Sequence, residues 1–350
     1  MSWAITKKAI NSDLSEPLNE KIESGKLVMN GKTYEPKISS LHASLFVENA
    51  SASYVQNLLA ISTDEEFIYM GGNGGILLKV RISDMATVGQ TSALYGGNAI
   101  AAISNDENYV YTSSASAGTV KKIDKQTLAT LSDSSALAAS SYVVINDSSF
   151  VYASTSIVTK FNKSNMSTAV TSGQILSGNA IHAMSQDATD IYLGGAGVAP
   201  DRTVRRVSKS NLSQTLAAPN DYTGTILAIA VDDNFVYFGG NSTSTPLVTK
   251  LIKTNLTIDS TASYGATGTG IQAIAIDDNF VYVGGGGGTP IPPLIKFNKG
   301  MFRMVEGPSL GEIRTNCISL SAGRVFVNHT TTNKCLKHFN GENIIEYKEV

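Results

Sequence analysis

The residues best suited to metal binding or nucleophilic chemistry are few in this sequence. They are the histidines and cysteines His42, His182, His329, His338, Cys317 and Cys335. No histidines have the HExxH or HxH spacing of a metal site, and two cysteines are too few for a disulfide framework. The set Cys317, Cys335, His329 and His338 matches no zinc pattern. Two reduced thiols are therefore favoured over a zinc site or a cross-strand disulfide, and we predict no metal and no cofactor.

A glycine-rich stretch, residues 284–288, superficially resembles a phosphate-binding loop. It lacks the following Lys-Ser/Thr and any helix whose N-terminus would face a phosphate. The one GxSxG match in the sequence, GPSLG at 307–311, is not followed by the helical pattern that a nucleophile elbow requires. We predict no catalytic residues and lean against an enzyme, although the sequence leaves this question open.

Carboxylates recur in a fixed relation to an aromatic residue. An Asp stands five residues before a Tyr at six places: Asp64, Asp106, Asp147, Asp187, Asp232 and Asp277. These residues fit either a ring of metal-binding or catalytic carboxylates, or turns that each Asp caps by accepting backbone N–H bonds. We favour the turn, because a residue present in nearly every unit serves the unit, whereas a single site draws unlike residues from several units.

The aromatic residue belongs to an internal repeat. Segments such as LAIAVDDNFVYFGG and QAIAIDDNFVYVGG place it at Tyr69, Tyr111, Tyr152, Tyr192, Tyr237, Tyr282 and Phe326. The spacings are 42, 41, 40, 45, 45 and 44 residues. Seven copies of such a unit have the period of a four-stranded propeller blade. We expect these marker aromatics to pack between blades, with their hydroxyls reaching a polar partner at the edge.

Each unit has the same order of elements. In the fifth copy an apolar strand (226–231) leads through the turn 232–234 into a second strand rich in aromatic and β-branched residues (235–238). A variable loop and a third strand (248–252) follow. A Lys-x-Asn-Leu turn and a short fourth strand complete the unit. The predicted fold class is therefore all-β, a seven-bladed β-propeller of four-stranded blades.

The repeat resembles known propeller sequences in part. Residues 54–350 resemble a seven-bladed β-propeller, and the element IDKQTL at 123–128 is similar to the YVTN/quinoprotein-like repeat class. The Trp-Asp pairs of WD40 repeats are lacking, since the single tryptophan, Trp3, lies outside the repeats. The resemblance implies an architecture only, because propellers host lyases, lactonases, lectins and scaffolds.

Residues 1–53 lack the repeat and are predicted to form an N-terminal arm, with the propeller at 54–350. Residues 13–24 are expected to form a short helix, and 25–36 a hairpin turning at Asn30-Gly31. The last blade can be closed by a strand at 41–47 or by the C-terminal 344–350. We favour the C-terminal strand, because Asn340-Gly341 supplies a turn just before it.

Charge and hydropathy limit the partners of the chain. The 27 Lys and Arg nearly balance the 29 Asp and Glu, for a net charge of −2. This balance gives no basis for a nucleic-acid or anionic-membrane partner. No signal-peptide pattern follows the first residues and no apolar stretch is long enough to span a bilayer. We expect synthesis in the cytoplasm without membrane insertion.

In a propeller, the loops between second and third strands share one face with the loops between blades. Both kinds of loop are variable here, and variable loops on a rigid scaffold are where binding sites form. The candidate ligand-binding residues on this face are Tyr95, Tyr222, Tyr264, Asn98 and Asn241. A further candidate is His182, whose position on a first strand suggests that it points into the central channel. Exposed tyrosines among amides suit a carbohydrate. The alternatives are tyrosines packed over the neighbouring blade and an interior His182 with satisfied hydrogen bonds.

The N-terminal segment NSDLSEPLNEKI (11–22), followed by the polar stretch NGKTY (30–34), resembles the N-termini of tail-associated proteins of phages that infect Gram-positive bacteria. This resemblance implies attachment to other tail proteins through residues 1–53, and a virion tail as location. Our leading hypothesis is a non-enzymatic propeller that contacts a cell-surface glycan or cell-wall polymer. One alternative is a lyase or lactonase-like enzyme with His182, Arg202, Arg205 or Arg206 in the central channel. Another is an intracellular interaction scaffold.

Overall fold

The computed structural model divides the chain into two compact units, residues 1–43 with 341–350, and residues 44–340. It describes residues 20–23, 26–29, 32–37, 48–54, 56–137, 140–177, 179–196, 203–219, 222, 224–242, 247–263, 270–285, 294–306, 315–321, 324–329, 334–339 and 346–349. In these residues no helix is long and apolar enough to cross a membrane.

Strands make up almost all of the regular structure. The first four strands are β1 (Glu20–Glu23), β2 (Lys26–Met29), β3 (Lys32–Lys37) and β4 (Glu48–Ser53). Blade 1 consists of β5 (Leu58–Thr63), β6 (Phe67–Gly72), β7 (Leu77–Arg81) and β8 (Thr87–Gln90). Blade 2 consists of β9 (Ile100–Asn105), β10 (Tyr109–Ser114), β11 (Val120–Asp124) and β12 (Thr130–Asp133). Blade 3 consists of β13 (Val144–Asn146), β14 (Phe150–Ser154), β15 (Val158–Asn162) and β16 (Thr168–Thr171).

Blades 4, 5 and 6 continue the pattern. Blade 4 consists of β17 (Ile181–Gln186), β18 (Asp190–Gly195), β19 (Arg205–Ser208) and β20 (Gln214–Ala217). Blade 5 consists of β21 (Gly224–Val231), β22 (Phe235–Ser242), β23 (Leu247–Ile252) and β24 (Ile258–Ser263). Blade 6 consists of β25 (Ile271–Ile276), β26 (Phe280–Gly285), β27 (Leu294–Asn298) and β28 (Arg303–Glu306). The last strands are β29 (Ile318–Ser321), β30 (Arg324–His329), β31 (Lys334–Phe339) and β32 (Glu346–Glu349). Two short 3-10 turns occupy Asn73–Gly75 and Leu94–Gly97.

The predicted all-β propeller of four-stranded blades is confirmed. Within a blade, neighbouring strands are antiparallel, and the first strands of successive blades contact one another, so they line the centre. The marker tyrosines are buried on second strands between blades. The prediction of seven blades is not met, because in the described residues six blades are built from four consecutive strands.

The seventh copy of the repeat lies in a sheet of mixed origin, with strand order β29-β30-β31-β4. Its fourth strand comes from the N-terminal side of blade 1, in the register Leu336↔Ser51. The expectation that the C-terminal strand closes the last blade is therefore wrong. The C-terminal strand β32 pairs with β3 instead, so it is not available to β31.

The N-terminal unit is a sheet with strand order β1-β2-β3-β32. The predicted hairpin is confirmed by the antiparallel pairing of β2 with β3, in the register Met29↔Lys32. The predicted turn residues Asn30 and Gly31 lie outside the described residues. The predicted helix is wrong at 20–23, where β1 pairs with β2, and the rest of it falls outside the described residues. The predicted boundary at residue 53 differs from the observed division, because β4 joins the unit 44–340.

The turn between third and fourth strands has a left-handed residue with an apolar side chain. From blade 1 to blade 6 these residues have φ between 46° and 58°, and they are Met85, Leu128, Met166, Leu212, Leu256 and Phe302. A positive φ is unfavourable for such residues. Five of the six side chains are buried and that of Leu128 is half-buried, so we infer that packing between blades offsets the backbone strain. One example is Leu128 of blade 2, whose Cδ1 would lie 2.8 Å from a Cβ at Gly89 of blade 1.

Candidate functional site

The repeated aspartates cap the turns between first and second strands. In blade 2, Oδ1 of Asp106 accepts the backbone N–H groups of Asn108 at 3.0 Å and Tyr109 at 2.8 Å. Its Oδ2 accepts the Tyr111 hydroxyl at 2.9 Å. The same Asp–Tyr bond, 2.7 to 3.1 Å long, occurs in blades 1, 3, 4, 5 and 6. These are the hydrogen bonds expected of turn caps.

A lysine from the following blade completes each of five junctions. Nζ of Lys163, in the turn after the third strand of blade 3, lies 2.6 Å from Oδ2 of Asp106 in blade 2. The remaining pairs are Lys125–Asp64, Lys209–Asp147, Lys253–Asp187 and Lys299–Asp232, at 2.6, 3.4, 3.2 and 2.9 Å. The end of the propeller that carries these turns is called the Asp-turn face, and each ion pair there joins two blades.

The lysines and turns keep these carboxylates ionised. Burial acts to raise the pKa of Asp106, but hydrogen bonds from Lys163, from the Tyr109 backbone and from Tyr111 outweigh burial, so the pKa is lowered. In blade 4 the same balance lowers the pKa of Asp187 to about 2. Burial and the neighbouring Asp106 charge raise the pKa of Tyr111, which therefore stays a hydrogen-bond donor.

A second row of lysines also joins the blades. Nζ of Lys160, on the third strand of blade 3, donates to the Lys209 carbonyl of blade 4 at 2.8 Å and lies 3.8 Å from the Phe150 ring centroid. Equivalent bonds from Lys79, Lys122 and Lys250 are 2.9, 2.7 and 3.2 Å long. The cations and carboxylates of this face thus bind one another. No group of three or more His, Cys, Asp or Glu residues that the structure describes could hold a metal.

The junction between the mixed sheet and blade 1 replaces this chemistry with apolar packing. Ser321 stands at the Asp position, Phe326 at the Tyr position and Ile82 at the Lys position. Phe326 and Ile82 are buried in one cluster, and the Ser321 hydroxyl donates to the Asp64 carbonyl at 2.6 Å. This junction therefore lacks both the carboxylate and the lysine of the other junctions. That is expected, because either charge alone would be partly buried without a partner.

Two of the predicted ligand-binding tyrosines are buried, contrary to the expectation that they are exposed. The Tyr95 hydroxyl donates to the Thr112 carbonyl at 2.6 Å, and the Tyr222 hydroxyl donates to the Gly240 carbonyl at 3.1 Å. Each tyrosine precedes a blade and reaches the second strand of that blade, so it serves packing. This is the alternative that the sequence left open. Tyr264 lies outside the described residues.

The predicted amides are on the surface. Asn98 is exposed, and its Nδ2 donates to the Tyr95 carbonyl at 2.9 Å. Asn241 is exposed on the second strand of blade 5. Its Oδ1 accepts from Nε2 of Gln272, on the first strand of blade 6, at 3.4 Å.

His182 lies on the first strand of blade 4, near the variable-loop face, and is half-buried. Its ring centroid is 4.8 Å from that of Tyr142, which precedes the first strand of blade 3 and is 37% exposed. Burial lowers the pKa of His182 below its usual 6.5, so the imidazole is neutral at pH 7. The structure thus brings His182 together with Tyr142, and separately Asn241 with Gln272.

Tyr142 and Gln272 were missed by sequence reasoning, although a signal was present. Both stand ten residues before the marker aromatic, where the seven copies carry Leu59, Ala101, Tyr142, His182, Leu227, Gln272 and Asn316. The residue types at this position differ from copy to copy. That variety is typical of a binding position, whereas the uniform Asp is typical of a structural one.

A β-bulge displaces His182 from regular pairing. The register jumps from Ile181↔Gly195 to Ala183↔Gly194, which leaves His182 as the extra residue. Gly195 makes this possible, because a Cβ there would lie 2.1 Å from the Ala180 carbonyl oxygen. β-Bulges commonly re-aim a side chain next to a functional site.

Replacing Gly195 with alanine is therefore expected to lower the free energy of unfolding by about 2 kcal/mol or more, because backbone must move to admit the methyl group. Urea denaturation measures the change. The control is Gly173→Ala, where a Cβ has no atom within 4 Å. Equal effects of the two substitutions would contradict the assigned role of Gly195.

Of the remaining candidates, those whose side chains the structure describes do not join His182. Arg205 and Arg206 lie on the third strand of blade 4, away from the first strands that line the centre, and Arg206 donates to Thr215 at 3.1 Å. Arg202 and the side chains of His329 and His338 are not among the described residues, and the same holds for His42. Cys335 is buried and Cys317 half-buried, and both are free thiols.

No protein-family model matches the chain, and no curated protein matches it in sequence. The propeller architecture and the residues around His182 therefore carry the functional argument.

Proposed function

We propose that the protein is a non-enzymatic binding propeller that contacts a cell-surface glycan through its variable-loop face. The observation that carries the proposal is the contrast between the two faces. On the Asp-turn face, lysines and aspartates neutralise each other across the junctions. On the opposite face, unlike half-buried and exposed residues from different blades meet, led by Tyr142 beside His182.

We also propose that the mixed sheet acts as a seventh blade. Among the described residues, side-chain hydrogen bonds link it to blade 1. They run from Asn328 Nδ2 to the Leu58 carbonyl at 2.9 Å and from Ser321 to the Asp64 carbonyl at 2.6 Å, and the Thr63 hydroxyl bonds the Ser319 hydroxyl at 2.8 Å and the Leu320 carbonyl at 3.2 Å. Its first strand β29 contacts the first strands of both blade 6 and blade 1. The seven copies of the sequence repeat also support a count of seven blades.

A phage tail is the setting that we propose for this propeller. The support is the resemblance of residues 11–22 to tail-associated proteins, together with the low charge fraction of 16%. In this setting the N-terminal unit attaches the chain to other tail proteins, and the variable-loop face is turned to the host.

The proposal is tested by incubating labelled full-length protein with a panel of Gram-positive cells and with their purified wall polysaccharides. We expect binding to at least one strain, and a loss of about tenfold or more after periodate oxidation of the wall glycans. Protease treatment of the cells is expected to leave binding intact. Absence of binding across the panel, or binding that protease removes, would overturn the proposal.

A further inference from the structure

Residues ten positions before each marker aromatic form a set that we name the mouth residues: Leu59, Ala101, Tyr142, His182, Leu227, Gln272 and Asn316. They lie where the first strands begin, at the variable-loop end. In five of the seven copies the pairing between first and second strands jumps at this residue. The repeat thus places a bulged side chain from each of these blades at one level of the centre.

Tyr142 and His182 supply one polar arc of this level. They come from adjacent blades, and their ring planes are inclined by 53° with centroids 4.8 Å apart. Tyr142 keeps 37% of its surface exposed, although the rings are in contact. In the part of the chain that the structure describes, neither side chain has a hydrogen-bond partner. An accessible aromatic face beside a neutral imidazole is therefore open to a ligand.

Gln272, on the first strand of blade 6, and Asn316, just before the first strand of the mixed sheet, supply a second polar arc. Nε2 of Gln272 lies 3.4 Å from Oδ1 of Asn241, a long hydrogen bond that an incoming hydroxyl can replace. Asn316 is held through its backbone N–H, which donates to Asn328 Oδ1 at 2.7 Å. Leu59, Ala101 and Leu227 separate the two arcs and contribute apolar surface.

The opposite end of the first strands differs. There Asn105 donates to Ser62 at 2.6 Å, Gln186 donates to the Asn146 carbonyl at 2.6 Å, and Thr63 bonds Ser319 at 2.8 Å. Each bond joins two neighbouring first strands. Polar residues at that end therefore bond one first strand to the next, whereas none of the hydrogen bonds described for the mouth residues does so.

We propose that the mouth residues bind one neutral sugar unit, whose apolar face stacks on Tyr142 and whose hydroxyls bond His182, Gln272 and Asn316. The inference rests on the proposed glycan-binding function and names the site and the ligand class. None of the seven mouth residues is acidic or basic apart from the neutral His182, so the site has no charge to recognise an anionic or cationic group. A sugar combines an apolar C–H face with several hydroxyls, which is the complement of an aromatic ring among amides.

The probes are neutral oligosaccharides (maltotriose, cellotriose, mannotriose, lactose and tri-N-acetylchitotriose), with sialyllactose and trigalacturonate as charged comparators. Binding to the full-length protein is measured by saturation-transfer NMR and titration calorimetry. We expect at least one neutral saccharide to bind at one site per chain, more tightly than either charged comparator. Tyr142→Ala and Gln272→Ala are each expected to weaken binding by about tenfold, and Tyr142→Phe by less than about threefold.

The matched control is Leu131→Ala, because Leu131 is 52% exposed on the outer fourth strand of blade 2. It is expected to leave affinity unchanged. Thermal unfolding verifies that each variant is folded, and Gln272→Ala gives an independent test if Tyr142→Ala is not. The site proposal is overturned if no neutral saccharide binds, if a charged one binds more tightly, or if both alanine variants bind normally.

Cell binding separates this proposal from the general one. If the wild-type protein binds cells through glycans and the two alanine variants bind equally well, the mouth is not the site but the glycan-binding function stands. If the wild-type protein binds neither cells nor wall polysaccharides, both proposals fail.

Discussion

Lys163→Ile is expected to lower the free energy of unfolding by about 3 kcal/mol. The substitution leaves Asp106 charged and only 23% exposed, without the cation 2.6 Å away. Removing one partner of a buried ion pair costs 3–5 kcal/mol, and the partial exposure places this junction near the lower limit. Equilibrium unfolding in urea measures the loss.

The triple variant Asp106→Ser, Tyr111→Phe, Lys163→Ile is expected to be more stable than Lys163→Ile alone. It reproduces at the junction of blades 2 and 3 the residues Ser321, Phe326 and Ile82 that join the mixed sheet to blade 1. With the carboxylate removed, no charge is left without its partner, and the isoleucine packs against a phenylalanine.

The control is Lys121→Ala, because the partner Asp133 is 48% exposed and stays hydrated without the cation, although Lys121 itself is 16% exposed. Exposed pairs contribute about 0–1 kcal/mol, so little change is expected. If Lys163→Ile proved no more harmful than Lys121→Ala, the inter-blade ion pairs would not stabilise the propeller.

Acid is expected to unfold the propeller over a defined range. The pKa values of Asp64, Asp106, Asp147, Asp187 and Asp232 are all lowered in the fold. The unfolded chain therefore binds more protons, and stability is complete above the unfolded value of 3.8 and falls as the pH decreases toward about 2, where Asp187 titrates. The five carboxylates together are expected to account for a loss of several kcal/mol, on the order of 1 kcal/mol each.

Urea unfolding at a series of pH values between 2 and 7 measures this effect. The triple variant is the matched control, because it lacks Asp106, and its stability is expected to fall less steeply below pH 4. His182, whose pKa is lowered by burial, acts separately, since its protonation disfavours the fold as the pH falls below 6.5. If the free energy of unfolding stayed constant down to pH 2, the ionised carboxylates would not stabilise the folded chain.

Much of the propeller could be predicted from the sequence because its repeat is local. A strand, an Asp turn and a second strand fall within about 15 residues, so spacing alone revealed them. The lysine turn was visible as a pattern as well. Its connection to the aspartate was not, because Lys163 and Asp106 are 57 residues apart and belong to different copies.

The candidate site was predicted less well, for a physical reason. The position of the tyrosines in loops predicted exposed side chains. Instead, the Tyr95 and Tyr222 hydroxyls donate hydrogen bonds to backbone carbonyls of the blade that follows each loop. Local sequence does not reveal such a partner. The strand that completes the mixed sheet was also predicted wrongly. Asn340-Gly341 predicted a turn that would lead the C-terminal strand back to β31, but β32 pairs with β3, more than 300 residues away in the sequence.

The pairing of β4 with β31 also affects how the chain folds during synthesis. At 5–20 residues per second, translation adds the roughly 285 residues between these strands in about 15 to 60 s. The six blades of consecutive strands can form as they leave the ribosome, whereas β4 must wait, unpaired, until β31 emerges. Completion of this sheet therefore depends on the synthesis of β31, and a chain truncated before β31 leaves β4 without its partner strand, which favours association with other chains.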